Sequence, residues 1–357
     1  MIDVVTLASQ LIALRTDAGQ HDALRAALDL LVQHLPADVT VEWFERNGHH
    51  SFLAYAGASR PARFRIILNG HVDVIPGKAY QYHATQVDDR LYGVGALDMK
   101  SNLAVLCAVF VEMVHQVPYP LALQVVSDEE IGGFDGTMLQ IEQGVRADFV
   151  ISGETTQFNV VHQAKGILWL KIHATGTTAH GAYPWRGQNA LSILTDAWQR
   201  IATEFPVPTS EAWVTTVNLA RIETSNAAFN KVPDDAHMWL DVRYVPADAH
   251  AVLTRLRACV GTACRIEVVT NEPALDVDAT HPDIVRLQAA VRAVHGVPAR
   301  LTAAQGSSDA RHFTRVGCAG VEFGPLGGGI GSDEEWTSMR GLADYAAVMR
   351  HFLDQVR

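Results

Sequence analysis

Three short, almost wholly apolar runs restrict the fold of this chain most: FRIILNG (64–70), LALQVV (121–126) and ADFVIS (147–152). Runs with no polar face are strands covered on both sides, and helically spaced segments separate them. That alternation predicts an α/β domain built on a parallel or mixed sheet. Helical spacing at 2–15, 21–35, 101–115 and 135–143, with strands at 39–44 and 52–56, completes the N-terminal part. Near residue 166 the texture changes. The runs ILWLKIHATG (167–176), WVTTVNLARIE (213–223) and AHMWLDVRYV (236–245) alternate apolar and polar side chains, as an antiparallel sheet with one covered face requires. Helices near 188–203 and 247–260 are expected to cover that face, and CRIEVV (264–269) adds a fourth strand. After 272 the first texture returns, with helices at 282–295, 308–316 and 340–356 and strands at 299–303 and 319–323. The chain therefore reads as a mixed, mostly parallel α/β catalytic domain, residues 1–166 and 272–357. It is interrupted by an inserted α+β domain, residues 167–271, a four-stranded antiparallel sheet with two helices.

Composition narrows the partners. A net charge of −11 argues against affinity gained by neutralising phosphates, so neither nucleic acid nor an anionic membrane is expected as a partner. The longest apolar run, NLAVLCAVFVEMV (102–114), is short of the roughly 20 residues a membrane span needs. The start, MIDVVTLASQLIALRTD, has no basic stretch followed by an unbroken apolar run and is read as mature sequence. Four cysteines without Cys-x-x-Cys spacing predict a reducing, cytoplasmic setting, although spacing alone permits a Cys259–Cys264 disulfide.

The chemistry-bearing residues follow the apolar strands. His71 and Asp73 stand just past FRIILNG, where open α/β sheets collect ligands. A metal-binding histidine commonly donates its other ring nitrogen to a carboxylate, and Asp73 is placed for that. Asp98 closes the glycine-rich LYGVGALDMK ahead of an apolar helix, where it is as readily an N-cap as a ligand. In SDEEIGG, Glu129 and Glu130 follow a buried strand, either as a solvated acidic turn or as a metal ligand beside a general base. Glu154 in ISGETT follows a third strand. So many carboxylates at one sheet edge repel one another without a cation, and one imidazole among several oxygens suits zinc, manganese or cobalt.

In order and spacing, NGHVDVIPG, LYGVGALDMKSNLA, SDEEIGG and ISGETT resemble a family of two-metal amidohydrolases and exopeptidases. That family includes acetylornithine deacetylase, succinyl-diaminopimelate desuccinylase, aminoacylase and glutamate carboxypeptidase. The resemblance implies a catalytic domain interrupted by a lid, homodimerisation through that lid, and one or two zinc ions. It implies that His71, Asp98 and Glu154 hold one zinc, with Asp98 bridging to a second on Glu130. Glu129 would be the general base, Asp73 the residue orienting His71, and His180 in GTTAHGAYPWRGQNA the oxyanion stabiliser of a neighbouring active site. Asn230, Arg243 and Gly306, Ser307 and Ser308 of GSSDAR resemble substrate-binding positions. With Lys165 of QAKG, Arg243 favours a substrate bearing a free carboxylate, although a surface salt bridge to Asp241 accounts for Arg243 equally well. The substrate class is an N-acyl amino acid or short peptide.

The resemblance departs at one position. The family carries a histidine ahead of a C-terminal acidic pair, and in FGPLGGGIGSDEEWTSM (323–339) that position is Gly331. Asp333, Glu334 and His312 are the candidate substitutes. Three readings follow: a hydrolase with one tight and one weak or substituted metal, a degenerate member that binds its ligand without cleaving it, or a repurposed scaffold. The first is preferred, because a pure binder has no chemical need for a general base beside a metal ligand.

Overall fold

The computed structural model describes residues 2–356. The chain packs as two compact units: Met1–Gln163 with Asp276–Ala303 and Ser308–Arg357, and Ala164–Leu275 with Ala304–Ser307. The second unit thus takes in Ala304–Ser307, which nothing in the sequence texture marks. The backbone reason is local, since the Lys165 amide donates to the Ala304 carbonyl at 3.2 Å.

In the first unit, six strands of a mixed sheet run in the order Val39–Arg46, His49–Ala56, Leu121–Val126, Phe64–His71, Ala147–Ser152 and Ala319–Glu322. The last four are parallel to one another, and the first two form an antiparallel ribbon at one side. Leu121–Val126 is buried at every position, as a central parallel strand covered on both faces should be. The helix Lys100–Met113 is buried almost all round, with Val4–Ile12 and Met339–Gln355 packed on it. A helix apolar on every side is stable only in such an enclosed place. A small antiparallel sheet of Gly327–Gly328, Trp336–Ser338, Arg90–Tyr92 and Thr85–Val87 has no counterpart in the sequence expectations, because strands of two or three residues are too short to show a period.

The second unit is the expected antiparallel sheet, in the order Thr216–Glu223, Asp235–Tyr244, Gly166–Thr175 and Cys264–Glu272. Along Asp235–Tyr244 burial alternates without a break. Met238, Leu240, Val242 and Tyr244 face a core shared with Leu194, Ile201 and Leu256 of the helices Ala190–Glu204 and Val252–Val260. Cys259 and Cys264 are free thiols, so the disulfide that their spacing permits is not formed. Among the described residues no helix is long and apolar enough to cross a membrane.

Candidate active site and metal centre

Parallel register assembles the site. Asn69 stands opposite Ser152, so two further residues along each strand bring His71 level with Glu154. His71 in turn pairs with Val126, the last residue before the Ser127–Glu130 turn. His71, Glu129, Glu130 and Glu154 therefore issue from the carboxyl edge of three adjacent strands, where such sheets bind ligands.

Asp98 reaches this edge from another direction, and not as a helix cap. The residue at the N-cap of Lys100–Met113 is Met99, with no side-chain capping bond. The Asp98 carboxylate lies 3.2 Å from His71 Nε2. Its loop is held by the buried Glu335, whose carboxylate accepts the amides of Gly95 (3.2 Å), Leu97 (2.8 Å) and Asp98 (3.0 Å). Asn102 ties the same loop to the third strand, donating to the carbonyls of Leu97 (3.1 Å) and Gly153 (2.8 Å). The sequence reading missed both residues. For Glu335 the signal was present, a third acid after the Asp333–Glu334 pair.

His71, Asp98 and Glu154 offer ligand atoms within 4.8 Å of one another, and they are the one such group of three found among the described residues. Glu154 Oε1 is 3.9 Å from His71 Nε2. On the other side of the ring, Nδ1 is nearest to the main-chain oxygen of Asp73 at 3.0 Å, with the carboxylate at 3.5 Å. The other carboxylate oxygen of Asp73 accepts the Glu130 amide at 2.8 Å. Asp73 thus touches both the imidazole and the backbone of the Glu129–Glu130 turn.

The electrostatics call for positive charge. Burial, and then repulsion from Asp98, hold Glu154 well above the usual carboxylate range. Burial also holds Glu129 well above it, with Glu154, Asp309 and Asp98 adding repulsion against the opposing effect of His71. Burial, with Asp98 and Asp73 nearby, pushes Glu130 up to about 7. A dication in the His71–Asp98–Glu154 cluster would reverse these penalties, and three protein donors are what catalytic zinc sites commonly use. The residues present fit one metal.

A second position fits less well. A cavity of about 90 Å³ is lined by Asp98, Glu130 and Gly331, with Ile75 and Ile330 as apolar wall and no imidazole among the described lining residues. Gly331 has φ +66°, and a Cβ there would lie 3.1 Å from Ile75 Cδ1, so the backbone at this position suits glycine. The candidate substitutes are engaged elsewhere or exposed. Asp333 pairs with Lys78, Glu334 faces solvent, and His312 Nε2 lies 2.9 Å from the Gly132 carbonyl.

The remaining candidates divide between the units. His180 is exposed, with its Nδ1 accepting the Ala182 amide at 3.1 Å. Asn230 is exposed, and its carbonyl accepts the Gly181 amide at 2.7 Å. Arg243 Nε donates to Asp241 at 2.9 Å, and that carboxylate also accepts from Trp169 Nε1 at 3.0 Å. Lys165 is buried, its pKa lowered by burial and by Arg243. Gly306 and Ser307 belong to the second unit and the buried Ser308 to the first.

The profile of the peptidase family M20/M25/M40 matches residues 67–355. The chain belongs to that family. A succinyl-diaminopimelate desuccinylase of Paraburkholderia xenovorans is 28% identical over 360 residues, covering 92% of this chain and 93% of the relative. Among solved structures, the aminopeptidase PepT of Bacillus cereus superposes with a TM-score of 0.76 at 18% identity, covering 99% of this chain and 98% of the other. An M20 family metallo-carboxypeptidase of Sulfolobus solfataricus gives 0.75 at 16% identity, covering 99% of each chain. At such identities the structures bear on the fold alone. With the family match they bear out the α/β catalytic fold carrying an inserted α+β lid, and the chain is a metal-dependent hydrolase. The comparisons lend nothing to a member that binds without cleaving.

Proposed function

We propose that this hydrolase cleaves the amide bond of an N-acyl amino acid or short peptide with a free carboxylate, using one tightly held zinc on His71, Asp98 and Glu154 and Glu129 as general base. The observation that carries the reading is a three-donor cluster at the strand ends, with the Glu129 carboxylate issuing from the turn beside it. A divalent metal supplies Lewis-acid polarisation of the scissile carbonyl and acidifies the attacking water. Glu129 takes a proton from that water as its oxygen bonds to the carbonyl carbon. It returns the proton to the amide nitrogen as the carbon–nitrogen bond breaks, leaving a carboxylate and an amine. Asp73 would fix the ring of His71, and His180 would donate to the developing oxyanion. Arg243, Lys165, Asn230 and Gly306, Ser307 and Ser308 would bind the substrate. The desuccinylase relatives make N-succinyl amino acids the first acyl class to test.

The histidine-free cavity at Gly331 supports one tight metal rather than two, since Asp98 and Glu130 alone supply fewer protein ligands than catalytic zinc normally has. Metal content measured after chelator-free purification and exhaustive dialysis should give about one zinc per chain, and two retained zincs would refute it. We extend the proposal to a cytoplasmic homodimer joined through the second unit. Four free thiols support the compartment, and the exposed Trp185 and Phe229 support the surface. Sedimentation at the mass of a single chain would rule out the dimer.

A further inference from the structure

We propose that Asp309, Arg311 and His312 form a clasp on the Gly132–Gly133 turn that sets the position of Glu129. The inference rests on the reading of Glu129 as the base and adds residues that this reading did not include.

The turn needs an external hold. Glu129–Ile131 is a single 3₁₀ turn, closed by Gly132 N to Glu129 O (2.8 Å) and Gly133 N to Asp128 O (2.7 Å). Two successive glycines, Gly132 and Gly133, follow the turn with φ +115° and +67°, a flexible pair three residues after the base. The Gly132 carbonyl accepts from Arg311 Nη2 at 2.6 Å and lies 2.9 Å from His312 Nε2. A carbonyl can only accept, so His312 carries its proton on Nε2. Burial, and then the charge of Arg311, lower its pKa to about 3, so the ring stays neutral and keeps that tautomer.

One residue on, a Cβ at Gly133 would collide with Asp309 Oδ1, so the carboxylate packs directly against the turn. Among the described residues this Oδ1 has no hydrogen-bond partner, whereas Oδ2 accepts from Thr137 Oγ1 at 2.5 Å. Thr137 Oγ1 lies 3.4 Å from Asn69 Nδ2, and Ser152 Oγ donates to Asn69 Oδ1 at 2.8 Å, two residues before Glu154. Asn69, Thr137, Ser152, Asp309, Arg311 and His312 are all buried. A buried polar network holds one arrangement because breaking any link strands a desolvated group. Here Arg311 and His312 hold the Gly132 carbonyl, three residues after the base, while Asp309, Thr137 and Asn69 lead to Ser152, two residues before Glu154. The three clasp residues are positioning residues, acting on the substrate only through Glu129.

The test compares His312→Ala, His312→Gln and Asp309→Asn with Glu129→Gln. Each is assayed on N-succinyl-L,L-diaminopimelate, N-acetyl-L-ornithine and a glycyl dipeptide, with hydrogen exchange read in parallel. In His312→Ala and Asp309→Asn, kcat should fall about 100-fold with KM within about threefold of the parent and zinc content unchanged. Exchange of the Ile131–Asp135 amides should quicken roughly tenfold while Leu121–Val126 is unaffected. Glutamine keeps an N–H where His312 Nε2 lies, so His312→Gln should recover most of the rate. Parental kcat and exchange in His312→Ala and Asp309→Asn would overturn the clasp. So would a loss confined to KM or zinc content, or a His312→Gln no better than alanine. Activity surviving in Glu129→Gln would instead remove the base assignment, and the exchange data would still decide whether the clasp holds the turn.

Discussion

The charged residues of the two units meet water differently. At the sheet edge of the first unit, His71, Asp73, Asp128 and Asp309 are buried and Asp98, Glu129, Glu130 and Glu154 partly so. In the second unit His180 and Asn230 face solvent, and the partly exposed Arg243 is paired with Asp241. Buried carboxylates are costly until a proton or cation joins them, so their presence in one place is itself evidence for a ligand. Exposed polar groups are satisfied by water and make no such demand. The first cluster can be argued from electrostatics, whereas the second set must be argued from substrate kinetics.

The strongest challenge to that contrast is Glu129→Gln. Removing the base while keeping its shape should lower kcat roughly 1000-fold and leave bound metal unchanged. A variant that loses its metal would make Glu129 a ligand. Next comes Arg243→Ala, which should raise KM about 10- to 100-fold for substrates with a free carboxylate, with no change in metal content. An unaltered KM would return Arg243 to a surface pair with Asp241. For the buried side, Glu322 ends the strand beside Ser152 and is pushed up to about 7, chiefly by burial, from 4.5. The unfolded chain ionises this group near 4.5, so its contribution is fully favourable below that pH and is lost as pH rises to about 7, by roughly 3 kcal/mol. Urea unfolding of metal-free protein at pH 4.5 and 7 should show this loss in the parent and not in Glu322→Gln. The smallest effect belongs to the exposed side: His180→Ala should change stability by no more than about 0.5 kcal/mol, and a larger loss in urea unfolding would show a structural role.

Legibility followed the same division. Leu121–Val126, Ala147–Ser152 and Pro282–His295 have the bounds that their apolar spacing predicts. The short strands Gly327–Gly328 and Trp336–Ser338 were invisible because they are specified by partners and not by a period. At the site, His71, Asp98 and Glu154 were recognisable as candidates because each follows an apolar run or a glycine loop. Glu335 and Asn102 were not, nor were the contacts that Asp309 and Arg311 of GSSDAR make, since each of these hydrogen bonds reaches a group brought near only by folding and leaves no local pattern. His312 is legible in sequence only as a candidate substitute ligand, and in the structure its Nε2 lies against the Gly132 carbonyl.

The sequence by itself determined the two textures, the strand ends from which the chemistry issues, and the glycine at 331. Local propensity and apolar period act over a few residues, and that is all those features need. Only the tertiary structure decided that register levels His71 with Glu154, that Asp98 turns from a possible cap into a neighbour of His71, and that Gly331 lines the cavity of Asp98 and Glu130. Those outcomes depend on hydrogen-bond register and close packing between segments far apart in the chain, which no window of sequence contains.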